Sequence, residues 1–392
     1  MDRAVSTPRR PAVAIATISA SFFLVFLGVG ATQQFLKSYL HDTHGLTAGQ
    51  SAIVLATVYL AAFACQTFTT YSLRALTEYG ALILGTGIYA LFGVAMLLPW
   101  GFTALIAAAA LWGFGSSIMW PAGAVFMLDA SRHGRHGQAS ARLYTGVYVG
   151  QALGILLMAF LVGAVGQQGM MLGAVGITVL GAGLAATLPR PRVERAAPRM
   201  ANPLVVLSSP TTRVAALVLV LSSSGYGLVL GLVAQVADSY HLSSVVGWSV
   251  ASVGLLTVSF YVARIPAGPA AGWLIDHAGR GVIVPACFIL SAVCLTLAVV
   301  VHQPITIAIA ALALGVQAAA VPVATTSWVG DRARAEDRPY TWAAIGVWSN
   351  MGTGLSILVG QSLVGGLGGW QPAFLAFAAC YLVCAGLATR LA

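Results

Sequence analysis

The chain reads as an all-α membrane protein whose twelve transmembrane helices form two parallel-repeat six-helix bundles. Three observations lead there: sparse charge, long uninterrupted apolar runs, and a pattern that returns after half the chain. Hydrophobic residues are 59% of the 392 and charged residues only 7%, against about 25% charged in a soluble domain. So little charge cannot cover a water-facing surface, and the alternative surroundings are lipid. Only helices and closed barrels satisfy their backbone polar groups in lipid. The apolar runs are about 20 residues long and do not alternate, which selects helices over barrel strands.

The expected spans, in order, are 13–37, 49–71, 80–99, 103–127, 142–163, 170–188, 213–237, 245–271, 282–301, 305–328, 340–363 and 371–389. The first follows Arg3, Arg9 and Arg10, as a signal peptide would. Its run is too long for one and many spans follow, so an uncleaved first span is expected. Spans 3 and 4 are joined by Trp100-Gly101-Phe102, and spans 9 and 10 by His302-Gln303-Pro304, both tight hairpins. Spans 6 and 7 are separated by the polar segment Pro189–Thr212, rich in Pro and Arg. The expected organisation is therefore a first bundle over 1–188, a cytoplasmic central loop over 189–212 and a second bundle over 213–392.

Charge sets the orientation. With the N-terminus inside, 17 of the 19 basic residues fall on inner segments; Lys37 lies near the outer side and Arg264 inside a span. Positive-inside loops then predict both termini on the cytoplasmic side of the cytoplasmic (inner) membrane. Because the basic residues sit in short loops, the net charge of +9 does not indicate nucleic acid. Cys65, Cys287, Cys294, Cys380 and Cys384 all lie in apolar runs and read as small core residues without metal-ligand spacing.

The two halves repeat. Gly30-x3-Gln34-x2-Lys37-Ser38-Tyr39 returns as Gly231-x3-Gln235-x2-Asp238-Ser239-Tyr240, at an offset of 201. Gly146-Val147-Tyr148 with Gly154 returns as Gly346-Val347-Trp348 with Gly354, at an offset of 200. Asp129 and Asp331 each open an Arg-containing loop. Six spans separate each pair, so the copies share one orientation, as in transporters whose halves are related by an axis along the membrane normal.

After span 8 the chain reads Gly272-Trp273-Leu274-Ile275-Asp276-His277-Ala278-Gly279-Arg280. This resembles the G-x-L-x-D-x-x-G-R signature of the major facilitator superfamily, and the resemblance implies twelve spans and transport by alternating access. The tight turn would place the Asp276 carboxylate near a neighbouring helix N-terminus and loop arginines, a latch that forms in one state and breaks in the other. The first-half counterpart, Tyr71–Gly80, keeps Arg74, Glu78 and Gly80 but lacks the Asp. The usual Arg in span 4 and the Gly-Pro motif in span 5 of many drug antiporters are also missing, which argues against a proton-coupled drug exporter. Gln33–Leu46, with Leu111-Trp112-Gly113 and Trp120-Pro121-Ala122-Gly123, resembles a branch of the superfamily named for a potassium-channel accessory protein.

Arg264 lies eight positions before Gly272, roughly 12 Å into the membrane at 1.5 Å per residue. Charge at that depth faces a cavity or a partner. Either Arg264 anchors an anionic group of the solute, or it is structural and bonds helix carbonyls or the latch. An Arg in span 8 is similar to the oxalate:formate antiporter family, but that family's Lys in span 11 is absent, against a doubly charged substrate. Gln34, Trp120, Tyr148, Gln151, Tyr226, Gln235, Gln317, Trp348 and Asn350 are the other candidate solute-binding residues, with Gln66 beside them; buried amides need partners on other helices or in a wet path. Gly146, Gly150 and Gly154 have the spacing of close helix packing. The gating candidates are Lys37 with Asp238 as an outer pair, the signature residues Gly272, Asp276, Gly279 and Arg280, and the loop residues Asp129 and Asp331. Lys37 and Asp238 are either a gate or two solvated interfacial charges.

No Asp or Glu lies deep in a span. That points to a facilitator, an exchanger, or proton coupling at the rim. Nothing suggests a cofactor, a metal site or an enzyme, since no nucleotide-binding loop, metal cluster or hydrolytic triad is legible. The expected function is a secondary or facilitative transporter of a small organic solute, an anion if Arg264 meets it, working as a monomer in the bilayer with a coupling proton or counter-ion as a further partner. The alternatives are a drug or metabolite efflux pump and a non-transporting accessory protein.

Overall fold

The computed structural model describes residues 11–130, 136–188, 202, 204, 210–239, 249–332 and 338–391. Its helices are α1 (Pro11–Leu27), α2 (Val29–Thr32), α3 (Leu36–His44), α4 (Ala48–Gln66), α5 (Thr69–Met96), α6 (Phe102–Ala130), α7 (His136–Ala186), α8 (Pro210–Ser239), α9 (Ser249–Ala278), α10 (Arg280–Val301), α11 (Pro304–Arg332), α12 (Arg338–Leu367) and α13 (Trp370–Ala388). Among the described residues there is no strand, and nine helical segments are long and apolar enough to cross a bilayer. One of the nine, in α7, supplies two spans. Its 51 residues would reach about 77 Å, far more than one crossing, and the chain reverses at Gly166 (φ 74°, ψ 178°). With α9 and α12, each 30 residues, the total is the expected twelve.

Each half packs in the same way. In the first, α1 and α2 lie against α7, and α4 lies against α6; in the second, α8 lies against α12, and α9 against α11. The halves meet where α4 touches α12 and α7 touches α9. Glycine permits the closest approaches. A Cβ at Gly113 would sit 2.3 Å from the Val58 carbonyl oxygen, and one at Gly315 would sit 2.2 Å from that of Phe260. Both pairs are 202 positions apart. So are Gly150, whose Cβ would meet the Phe23 carbonyl at 2.5 Å, and Gly352, whose Cβ would meet that of Val220 at 2.1 Å.

The turns repeat at the same spacing. Thr77 (φ 61°, ψ 165°) and Gly279 (φ 81°, ψ 152°) both hold the left-handed region, as do Gly166 and Gly368. The expected match of Gly154 with Gly354 is therefore out of register by one half-turn of helix. Gly154 packs on Leu27 of α1, whereas Gly354 packs on Leu60 of α4, across the junction between halves. The Gly146, Gly150 and Gly154 row does pack closely, against Ser19, Phe23 and Leu27.

The first span is broken, where an unbroken helix over 13–37 is expected from hydropathy. Gly28 (φ −89°, ψ −120°) leaves helical geometry. The Val29 N–H donates instead to Thr178 Oγ1 at 2.8 Å, and Thr178 donates onward to the Ala174 carbonyl. A Cβ at residue 28 would lie 2.3 Å from that hydroxyl oxygen. A second irregular stretch, Gln33–Phe35, joins α2 to α3. Irregular backbone at such a depth is tolerated where it is buried in protein, and both breaks are buried. Beyond α3, Gly45 (φ 66°) ends the helix, and Thr47 with Gln50 forms a reciprocal capping box that starts α4.

Candidate functional site

The side chains that bridge the two halves collect on α2–α4, α7, α8, α9 and α12. At their centre is Arg264 of α9. Its guanidinium lies over the Tyr148 ring of α7 at 4.1 Å, with Phe260 at 5.3 Å, Tyr261 at 5.7 Å and Tyr226 at 6.0 Å. Nη2 donates to the Tyr148 hydroxyl at 3.2 Å. Aromatic faces attract a desolvated cation, by up to about 2 kcal/mol each, yet rings do not neutralise it. Among the described residues no carboxylate pairs with Arg264, and its Nε, buried, has no acceptor. The junction of the two halves thus holds a positive charge with an open donor.

Beside it runs a chain of hydrogen bonds that also crosses between halves. The Gln33 amide oxygen accepts from Tyr59 at 2.6 Å and from Tyr226 at 2.9 Å. Tyr261 donates to Tyr226 at 3.1 Å and accepts from Gln34 Nε2 at 2.7 Å. The break in the first span is what turns two consecutive glutamines toward the second half. Tyr59 and Tyr261 are 202 positions apart and reach Tyr226 from opposite sides, so the pseudo-symmetry of the fold is written into the network.

Other candidates take different places. Asn350 of α12 donates to Gln66 of α4 at 2.7 Å, and Trp348 stacks edgewise on Phe63 at 5.8 Å; both contacts cross between halves. Trp120 stays within the first half, stacked on Tyr144, which neighbours Tyr148. Gln151 is buried beside the glycine row of α7. Gln317 does not join this group: fully buried inside the second half, it faces Ser222, whose carbonyl it meets at 3.5 Å. Lys37, expected near the outer surface, is buried, and Nζ donates to the Gly231 carbonyl oxygen of α8 and to Gln361 of α12 at 2.9 Å. A cation so deeply covered is not a solvated interfacial charge, and its partners among the described residues are neutral oxygens. The side chains of Asp129, Gln235, Asp238, Asp276 and Asp331 lie outside the described residues.

In the signature segment, Gly279 supplies the single left-handed residue between α9 and α10 and donates its N–H to the Ile275 carbonyl at 3.0 Å. Gly272 sits opposite Val323 of α11, and Arg280 starts α10. Thr77 occupies the equivalent of Gly279 in the first half and its hydroxyl accepts the Gly80 N–H at 3.3 Å, which partly offsets its backbone strain.

The family model described as the Major Facilitator Superfamily matches residues 18–246 and again 215–392. The chain belongs to the major facilitator superfamily. Membership makes it a multi-pass membrane transporter, and the double match agrees with two six-helix bundles in parallel repeat. The chain is also similar to UNC93-like protein 3 of Arabidopsis thaliana, 29% identical over 136 residues. That match covers 33% of this chain and 28% of the relative, so the chain spans less than a third of it.

Gln33, Tyr59, Phe260 and Tyr261 are absent from the sequence-based candidates. Three of them were legible in principle: Thr57-Val58-Tyr59-Leu60 and Ser259-Phe260-Tyr261-Val262 are a hydroxyl–apolar–Tyr–aliphatic repeat at the spacing of 202. Gln33 carried no such signal, because its orientation depends on the break at Gly28.

Proposed function

We propose that this superfamily member is a secondary transporter of a small organic anion, and that Arg264 anchors the anionic group as the two halves alternate around it. One observation carries the reading: a half-buried Arg264 between the halves, ringed by Tyr148, Phe260, Tyr261 and Tyr226, with its buried Nε unmet and no carboxylate beside it among the described residues. Charge within a span is costly and normally faces a cavity or a partner. The missing counter-charge is the solute's. Lys37 acts as the gate on the face opposite the arginine-rich loops, tying α3 to α8 and α12 when that face is shut. The arginine-rich loops lie in the cytoplasm and the protein sits in the cytoplasmic membrane, by the positive-inside bias.

Proteoliposome uptake of monocarboxylates tests the reading. Arg264→Gln keeps hydrogen-bonding capacity and removes the charge. It is expected to abolish anion uptake while the protein still folds. Uptake of anions by that variant at the parent rate would refute the proposal.

A second reading, a non-transporting accessory membrane protein, is favoured by the residues that resemble the branch named for such a protein. It predicts that no solute of the panel moves or stabilises the protein.

A further inference from the structure

The anion reading leaves a second unmet group beside Arg264. Gln34 is 3% exposed. Its Nε2 donates to Tyr261, but its Oε1 is buried with no donor. Arg264 Nε is a buried donor with no acceptor. One phenol ring, that of Tyr261, separates the two side chains: Gln34 meets its hydroxyl at 2.7 Å and the guanidinium lies 5.7 Å from its ring centre. Gln34 sits in the irregular stretch Gln33–Phe35 between α2 and α3, so it belongs to the first half, while Arg264 belongs to the second.

Buried polar atoms in proteins are almost always paired. Here an acceptor and a charge-bearing donor are both open, and both side chains lie by Tyr261. A molecule that satisfies both carries an anionic group for the guanidinium and a hydrogen-bond donor for the amide oxygen. An ammonium does not suit that role, since a second cation one ring away from the guanidinium would be repelled in a low-dielectric site. A neutral hydroxyl meets the amide without that penalty. Between the two ends, the partly buried rings of Tyr148 and Tyr226 offer apolar contact to the body of the molecule.

We infer that the solute is a small hydroxylated monocarboxylate, held by its carboxylate at Arg264 and by its hydroxyl at Gln34 Oε1, so that the solute itself spans the two halves. The inference rests on the anion reading of Arg264 and adds a specificity-determining residue to it. Gln34 touches the solute and decides between hydroxylated and plain carboxylates.

Matched pairs of probes test this on the purified full-length protein: 3-phenyllactate against 3-phenylpropionate, mandelate against phenylacetate, and lactate against propionate, with phenylalanine as the ammonium analogue. Titration calorimetry gives affinity, and the ligand-induced rise in unfolding midpoint gives an independent reading. The hydroxylated member of at least one pair should bind about tenfold or more tightly, because the plain acid leaves the buried amide oxygen unmet. Phenylalanine should bind more weakly than 3-phenyllactate. Gln34→Met, close to glutamine in shape, should bring the pair to equal affinity while carboxylate binding persists.

Equal affinity within every pair in the parent protein would overturn the inference and leave the anion reading standing. So would a hydroxyl preference that survives Gln34→Met. If Gln34→Met fails to fold, the parent's discrimination within each pair decides alone. If no carboxylate binds the parent at all, or if Arg264→Gln binds them as the parent does, the anion reading itself falls and the inference with it.

Discussion

Removing the Lys37 ammonium should open the face that it closes. Lys37 is buried, and its Nζ is donated to the Gly231 carbonyl and to Gln361 Oε1, both on the other half. Lys37→Met keeps the length and apolar stem but removes the donors. In the closed arrangement the two oxygens then lose their partner, at about 1–3 kcal/mol for a buried acceptor left unmet. Gly231 lies within α8, where its carbonyl keeps a helical partner, so the loss is at the low end for that atom. Relief from burying the ammonium acts in the opposite direction and is several kcal/mol in a fully dry site. Gln361 beside it is only half-buried, and water reaching that side offsets part of the relief. The net shift against closure is about 2 kcal/mol, roughly 30-fold in population. Open, the same groups are hydrated and indifferent to the change.

Spin labels at Ala48 and Gln303 report the opening. Both are exposed and lie on that face in different halves, and Cys380, which is also exposed, must first be replaced along with the other cysteines. The interspin distance distribution of Lys37→Met should move to longer values, and Lys37→Arg, which keeps donors, should move less. A distribution identical to the parent's, or one shifted to shorter distances, would mean that ammonium desolvation outweighs its hydrogen bonds and that Lys37 is no latch.

Three further predictions concern the frame. Gly150→Ala places a methyl 2.5 Å from the Phe23 carbonyl oxygen and should destabilise by about 1–3 kcal/mol, read as a lower thermal midpoint, whereas Gly183→Ala, with nothing within 4 Å, should be neutral or mildly stabilising. Gly279→Ala forces a Cβ into the left-handed region at φ 81° and should cost about 1 kcal/mol; Thr77→Gly relieves the same strain but removes the hydroxyl that holds the Gly80 N–H, so the two changes should differ in sign or nearly cancel, seen by comparing the two midpoints. Tyr261→Phe breaks the bonds to Gln34 and Tyr226 and should weaken carboxylate binding less than Arg264→Gln does, by calorimetry.

Much of the frame was legible because one force dominates it. Twelve apolar runs and the arginine asymmetry between their loops follow from the requirements of lipid, and they hold however the helices pack. What escaped depends on distant contacts. The break at Gly28 exists because Thr178, 150 positions away in sequence, offers a hydroxyl to the Val29 N–H; nothing local to 13–37 reveals it. That break in turn sets Gln33 and Gln34 toward the second half. Gln317 was expected in the same group from its residue type alone, yet a glutamine can equally serve Ser222 on a neighbouring helix. Lys37 was placed at the surface because lysine near a span end usually reaches water; here the opposing half covers it.

The repeat sharpens why the site has the sign that it has. At the spacing of 202, Tyr148 corresponds to Asn350, Arg264 to Ala62, and Gln66 to Gly268. The two junctions between halves are thus built on one plan: a polar group of α7 or α12 meets a polar group of α9 or α4. At one junction Asn350 meets Gln66, two neutral amides that satisfy each other. At the other Tyr148 meets Arg264, and the guanidinium retains charge and an open donor that its neighbours cannot fill. The departure from symmetry puts a cation on one side only, near Gln34 of the broken first span, and on the reading proposed above that charge selects for an anion with a second polar end.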